Sequence, residues 1–227
     1  MTSTELINHI ENLFNKKSNL IVANKQKAYL RNQFEFYGLT ALERKNITSS
    51  LIVKYKFKSE KDLGKLVKIM WGKEQREFQY IAQEFVLSNL NYYRFKDVQL
   101  FEFMIINKSW WDTIDFIAPK ILGLYFKLHP EMIDFQINKW MNSNNLWLQR
   151  SCVLFQLKYK DELDTKLLSQ IIHFLLDSNE FFINKSIGWI LREYSKTNKD
   201  WVIDFVKKNQ LSNLSSRESL KYIKKNK

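Results

Sequence analysis

Apolar residues recur at three- and four-residue spacing along nearly the whole chain, the period of helices that bury one face. The stripe Trp110, Ile114, Ile117, Ala118 and Ile121 is one example, and Ile183, Ile187, Ile190, Leu191 and Tyr194 is another. Periodic segments are separated by short polar joints such as Lys17-Ser18-Asn19, Asn91-Tyr92-Tyr93 and Asn142-Ser143-Asn144-Asn145. The pattern predicts about thirteen helices, over 3–16, 22–33, 41–55, 59–70, 74–89, 96–106, 109–128, 130–141, 145–159, 163–176, 180–195, 198–208 and 214–224. Two starts carry the spacing of a capping box: Thr40 before Glu43, and Ser59 before Asp62. In that arrangement a hydroxyl and a carboxylate three residues apart satisfy each other's free backbone N–H groups.

Helix openings also repeat. Glu74-Gln75-Arg76-Glu77-Phe78, Trp147-Leu148-Gln149-Arg150-Ser151 and Phe182-Ile183-Asn184-Lys185-Ser186 each begin a helix. Position 185 follows Arg150 by 35 residues, Arg150 follows Asp115 by 35, and Asp115 follows Arg76 by 39. Helix pairs at this period mark an α-solenoid of HEAT-like repeats. The expectation is an all-α chain, a single domain over 1–227, with a concave face. On repeat and charge alone, that face suits a nucleic-acid duplex and a protein partner equally.

Composition narrows the field. Lys and Arg number 36 against 24 Asp and Glu, a net charge of +12. Such a surplus favours a polyanion. With 5 Gly and 2 Pro in 227 residues, no glycine-rich phosphate loop and no turn-rich β-sandwich fits. Cys152 is the lone cysteine, which leaves no disulfide framework and no thiolate zinc site, and its apolar surroundings predict an inert, buried thiol. His9, His129 and His173 show no ligand spacing, so no metal is expected. Aromatic content of 15% excludes a disordered basic tail. The amphipathic start MTSTELINHIENLF is not a signal peptide, and no apolar run reaches membrane-spanning length. Together these predict a cytoplasmic, basic, globular protein with no membrane partner. Lys221, Lys224, Lys225 and Lys227 read as a solvated end.

Three segments hold the candidate chemistry. In Lys108-Ser109-Trp110-Trp111-Asp112-Thr113-Ile114-Asp115, Trp111 and Asp115 lie one turn apart on a face away from the apolar stripe. That places an indole beside a carboxylate; the plainer reading is that Asp115 pairs with a Lys or caps a neighbouring helix. Arg150 follows the Asn145 joint, where a fork of donors at a helix start suits a phosphate; equally, it forms a structural pair with an Asp of the adjacent repeat. Lys185, Trp189 and Arg192 share a face at i, i+4 and i+7. A cation–aromatic–cation stripe suits a nucleic-acid backbone; equally, Trp189 packs under the next repeat with its cations snorkelling.

Taken together the segments resemble the HEAT-like-repeat DNA glycosylases of the AlkD type, the DNA alkylation repair enzymes. The resemblance rests on Lys27-Ala28-Tyr29-Leu30-Arg31-Asn32-Gln33-Phe34 with Gly38, on Arg76-Glu77-Phe78, and on Ser109-Trp110-Trp111-Asp112 through Asp115. It continues in Trp147-Leu148-Gln149-Arg150 with Phe155-Gln156-Leu157-Lys158-Tyr159, in Phe181-Phe182-Ile183 through Lys185, in Ile187-Gly188-Trp189 and Leu191-Arg192-Glu193-Tyr194, and in Leu214-Ser215 with Arg217-Glu218. The loop Leu39-Thr40-Ala41-Leu42-Glu43-Arg44 departs from the family in lacking a Pro before its Glu-Arg pair, while Lys25–Gln33 keeps the basic, helical character of the family's early DNA-contacting helix.

The resemblance implies removal of cationic N3- and N7-alkylated purines from double-stranded DNA without drawing the base into a pocket. Asp115 would be the catalytic carboxylate, Trp111 and Trp189 the aromatic walls about the deoxyribose, and Arg150 the phosphate ligand completing the catalytic set. Tyr29, Lys108, Lys185 and Arg192 would contact DNA. It implies a monomeric, monofunctional hydrolase of bacterial type, associated with the nucleoid, with no cofactor and no metal. A non-catalytic DNA-binding relative of the same fold and a protein-binding solenoid are the competing readings.

Overall fold

A computed structural model of the chain describes residues 2–55, 57, 60–90 and 97–225. The class is all-α, in the manner of a helical-repeat protein; among the described residues the one extended contact is an isolated bridge between Glu35 and Gln75. The chain forms two compact units, Met1–Arg94 and Phe95–Lys227.

The first unit holds α1 (Ser3–Lys17), α2 (Leu20–Tyr29), α3 (Ala41–Lys54), α4 (Glu60–Gly72) and α5 (Arg76–Ser88). The Thr40/Glu43 capping box forms at the start of α3, with the Thr40 N–H donating to Glu43 at 2.8 Å and the Glu43 N–H donating to Thr40 Oγ1 at 3.3 Å. A second box, Thr2 with Glu5, opens α1. The Ser59 cap lies outside the described residues, as do the joint 91–93 and the start of the helix expected from 96.

Helix α2 ends four residues earlier than the periodicity predicts. Arg31 and Asn32 both turn to positive φ, and that reversal is incompatible with a continuing helix. Only Ala23 of α2 is buried. The helix is held through the following loop: Asn19 N–H donates to the Tyr37 carbonyl at 2.9 Å, and Gln26 Nε2 donates to the Leu39 carbonyl at 2.8 Å. The loop itself rests on Glu77 of α5, whose carboxylate accepts the N–H groups of Tyr37, Gly38 and Leu39. Burial pushes the Glu77 carboxyl up, and those same N–H groups pull it back. Gly38 is obligatory there. Its φ is +88°, and a Cβ would meet the Asn19 carbonyl oxygen at 2.0 Å.

The second unit holds α6 (Val98–Ile106), α7 (Trp111–Phe116), α8 (Gly123–Leu128), α9 (Ile133–Met141), α10 (Leu146–Leu154), α11 (Thr165–Phe174), α12 (Phe181–Tyr194), α13 (Lys199–Lys208), α14 (Asn213–Ser219) and α15 (Lys221–Lys225). Helix α10 is the centre of this core, packing on α6, α7, α9, α11 and α12. Asn145 caps it, accepting the N–H groups of Trp147 and Leu148, and Cys152 through Phe155 are buried as expected.

Two expectations change here. Trp110 stands before its helix with extended backbone and is half-buried, so the buried stripe begins at Ile114. The segment expected as one helix over 109–128 is interrupted by a π-helical stretch, Ile117–Leu122. The stretch contains Pro119, which has no N–H to donate and whose ring would clash with the carbonyl four residues back in an unbroken α-helix. The last expected helix likewise divides at Leu220 into α14 and α15.

Candidate active site

The site grows from α7. A regular helix over Trp111–Phe116 puts Trp111 and Asp115 on one face, one turn apart. Across from them, α10 presents Arg150 in a bidentate pair with Asp115. Arg150 Nε donates to Asp115 Oδ1 at 2.9 Å, and Nη2 donates to Oδ1 at 2.7 Å and to Oδ2 at 3.0 Å. Nη1 donates to the Phe182 carbonyl in the first turn of α12. One guanidinium thus ties three helices together.

Arg150 is only 3% exposed, whereas the Asp115 side chain keeps 21%. Burial pushes the Asp115 carboxyl up; the Arg150 charge and hydrogen bonds oppose this, and nearby Asp112 adds to it. Oδ1 accepts two of the Arg150 bonds and Oδ2 one, so Oδ2 keeps more acceptor capacity toward solvent.

Of the two readings of Arg150, the inter-repeat pair is the one observed. The fork of this buried side chain is turned on a carboxylate and a carbonyl. The pair follows the 35-residue period: equivalent positions of stacked repeats lie side by side.

Three rings outside the candidate site residues pack together, one of them beside Arg150. Trp110 lies 5.7 Å from Trp147 and 5.5 Å from Phe182, and Trp147 lies 5.1 Å from Phe182, ring centre to ring centre. Arg150 Cζ is 5.9 Å from the Phe182 ring. The available signal was again the period, since Trp147 and Phe182 open helices at equivalent positions 35 residues apart.

The stripe on α12 meets a second missed residue. Glu218 of α14, with a side chain 7% exposed, pairs with Lys185 at 3.0 Å and with Arg192 at 2.5 Å. The two cations on either side of half-buried Trp189 therefore share one internal counter-ion. Hydrogen bonds from Lys185 and Arg192 hold the Glu218 carboxyl below the usual range even though burial alone would raise it. Lys108 occupies the turn before α7 with φ of 46°. Tyr29, at the end of α2 in the first unit, is 71% exposed.

Among the described residues no group of three or more His, Cys, Asp or Glu is placed to hold a metal ion. Cys152 is buried, and burial pushes its thiol well up. None of the described helices is long and apolar enough to cross a membrane.

The arrangement, a part-exposed carboxylate backed by a buried guanidinium and one helical turn from Trp111, can stabilise positive charge without supplying a strong acid. The chain matches a family model described as DNA alkylation repair enzyme over residues 10–223. The chain belongs to that family. A solved structure described as a predicted DNA alkylation repair enzyme from Enterococcus faecalis is 32% identical to it. The two superpose with a TM-score of 0.84, over 91% of this chain and 96% of the other. No curated protein matches the chain. For a DNA alkylation repair enzyme, DNA is the expected partner, and a surplus of 12 positive charges agrees with it.

Proposed function

We propose that this protein is a monofunctional DNA glycosylase that hydrolyses the N-glycosidic bond of cationic N3- and N7-alkylated purines in duplex DNA. The observation that carries the reading is the Asp115 carboxylate, held by buried Arg150 with one edge open beside Trp111.

The chemistry needs little more. An alkylated purine carries a positive charge, so it departs neutral when the C1′–N bond breaks and takes the bonding electrons with it. No general acid is required, and the motifs contain no His. The barrier is the positive charge that develops on the sugar. A fixed carboxylate stabilises that charge and orients the water whose oxygen bonds to C1′ and whose proton is released. Trp111 and Trp189 would flank the deoxyribose, each adding about 0.5–2 kcal/mol of cation–π attraction as charge grows, so the carboxylate is the larger contributor. In this reading Arg150 is a positioning residue, while Lys108, Lys185, Arg192 and Tyr29 reach the duplex. Because sugar and backbone are gripped, the base need not be flipped into a pocket.

The test is base release from defined duplexes under single-turnover conditions. The expected result is release of 7-methylguanine and 3-methyladenine, tolerance of bulkier cationic adducts, and no release of uracil or hypoxanthine. Asp115→Asn keeps the size and removes the charge, and should slow release by about tenfold or more while duplex binding persists. Duplex binding without release by the wild type would favour a non-catalytic DNA-binding role. Efficient uracil excision would show that the base is read in a pocket.

A further inference from the structure

The π-helical stretch Ile117–Leu122 begins two residues after Asp115, and its C-terminal side is pinned. Gly123 packs so closely that a Cβ there would lie 2.7 Å from the Phe155 carbonyl oxygen. Tyr159 Oη donates to the Gly123 carbonyl at 2.6 Å. Phe155 and Tyr159 continue the same chain segment that carries Arg150. The 111–128 segment is therefore clamped to one neighbour at two points: Asp115 on Arg150, and Gly123 on Phe155 and Tyr159.

The spacing between the clamps depends on the wide turn. The Gly123 N–H donates to the Ala118 carbonyl, five residues back rather than four. A π-turn accommodates one more residue than an α-turn. Each residue of an α-helix advances the face by about 100°. Were 111–128 an unbroken α-helix with Gly123 seated as it is, Trp111 and Asp115 would be rotated by about one residue position, and the carboxylate would point away from Arg150. Pro119 is what forbids the unbroken helix.

We infer that Pro119 is a positioning residue: through the π-turn it sets the register that brings Asp115 onto Arg150 and leaves the carboxylate edge, with Trp111, facing the proposed site. The inference rests on the proposed glycosylase reading only for its kinetic consequence; the register itself is read without activity. Buried Pro119 touches no substrate in this scheme, and π-turns inside α-helices are frequent at functional sites.

The experiment compares the full-length wild type, Pro119→Ala, and Pro119→Ala combined with deletion of Lys120. Alanine is the best helix former, so the single variant is expected to fold, and to melt below the wild-type temperature because the buried Asp115–Arg150 pair is loosened. Hydrogen exchange of the Arg150 Nε–H, identified by its loss in Arg150→Lys, reports the buried pair directly. In Pro119→Ala it should exchange at least tenfold faster. Release of 7-methylguanine should slow about tenfold in the single-turnover rate, with duplex affinity within twofold of the wild type. Deleting Lys120 removes the extra residue, so the double variant should recover both slow exchange and rate. Wild-type exchange and rate in Pro119→Ala would overturn the inference, and so would a double variant as impaired as the single one. If the wild type releases no base at all, the glycosylase reading fails, while the exchange measurement still decides the role of Pro119.

Discussion

At Arg150 two demands compete for one guanidinium. A phosphate contact needs exposed donors, whereas a carboxylate held in the interior needs a buried partner. The 3% exposure and the two-pronged bond to Asp115 favour the pair. Removing one member of a buried pair leaves the other charge unpaired, which costs about 3–5 kcal/mol. Arg150→Ala should therefore lose about 3 kcal/mol of stability in a denaturant titration. The slope of log K for duplex binding against log salt should stay as in the wild type, because no phosphate contact is lost. A slope shallower by about one unit, with stability intact, would return Arg150 to the phosphate.

Between elements, the closest packing near the α12 stripe is α12 on α14. Gly188 allows it: a Cβ at that position would meet the Glu218 Cβ at 2.5 Å and the Ser215 carbonyl oxygen at 3.1 Å. Ser215 Oγ also donates to the Asn184 carbonyl at 2.9 Å, so the two helices are joined along their length. Gly188→Ala should push α14 away and destabilise by about 1–3 kcal/mol, the range for overpacking a filled core. It should also change the acid limb. Glu218 has a lowered folded pKa, so its ion pairs add stability above the ordinary value of 4.5, and that stability is lost as pH falls through the lowered value. Once α14 is displaced, Glu218 should titrate closer to 4.5, and the variant should lose less of its remaining stability on acidification than the wild type does. Unchanged stability at neutral pH would show that the interface gives way without cost.

For the whole molecule, the +12 charge is a statement about association rather than fold. Duplex binding releases counterions from the phosphates, so affinity should fall linearly in log–log form with salt, with a slope of at least about 3. Methylated and undamaged duplexes should share that slope, because phosphate contacts carry no sequence or lesion information. Titration by fluorescence anisotropy between low and physiological salt measures both. A slope near zero, or no binding at physiological salt, would favour a protein partner instead.

The features that local chemistry dictates are readable in the sequence. The 3.6-residue period places the buried face of α12, because an amphipathic helix must hide its apolar stripe whatever it packs against. The Thr40/Glu43 box is local in the same sense, since both partners lie within one turn. The 35-residue period brings Asp115 and Arg150 into register, but a phosphate and a carboxylate make the same demand on a guanidinium, so sequence left both roles open. Burial favours the carboxylate, and burial is a property of neighbours distant in the chain. Lys185 and Arg192 pose the same problem: their pattern fits a nucleic-acid backbone, yet their counter-ion, Glu218, comes from a helix 26 residues beyond Arg192. The π-turn lies between the two cases. Pro119 announces that an α-helix cannot pass unchanged, but kinking, breaking and widening all satisfy a missing N–H. Only the clamps at Asp115 and Gly123, each made to the segment containing Arg150, Phe155 and Tyr159, select the widened turn.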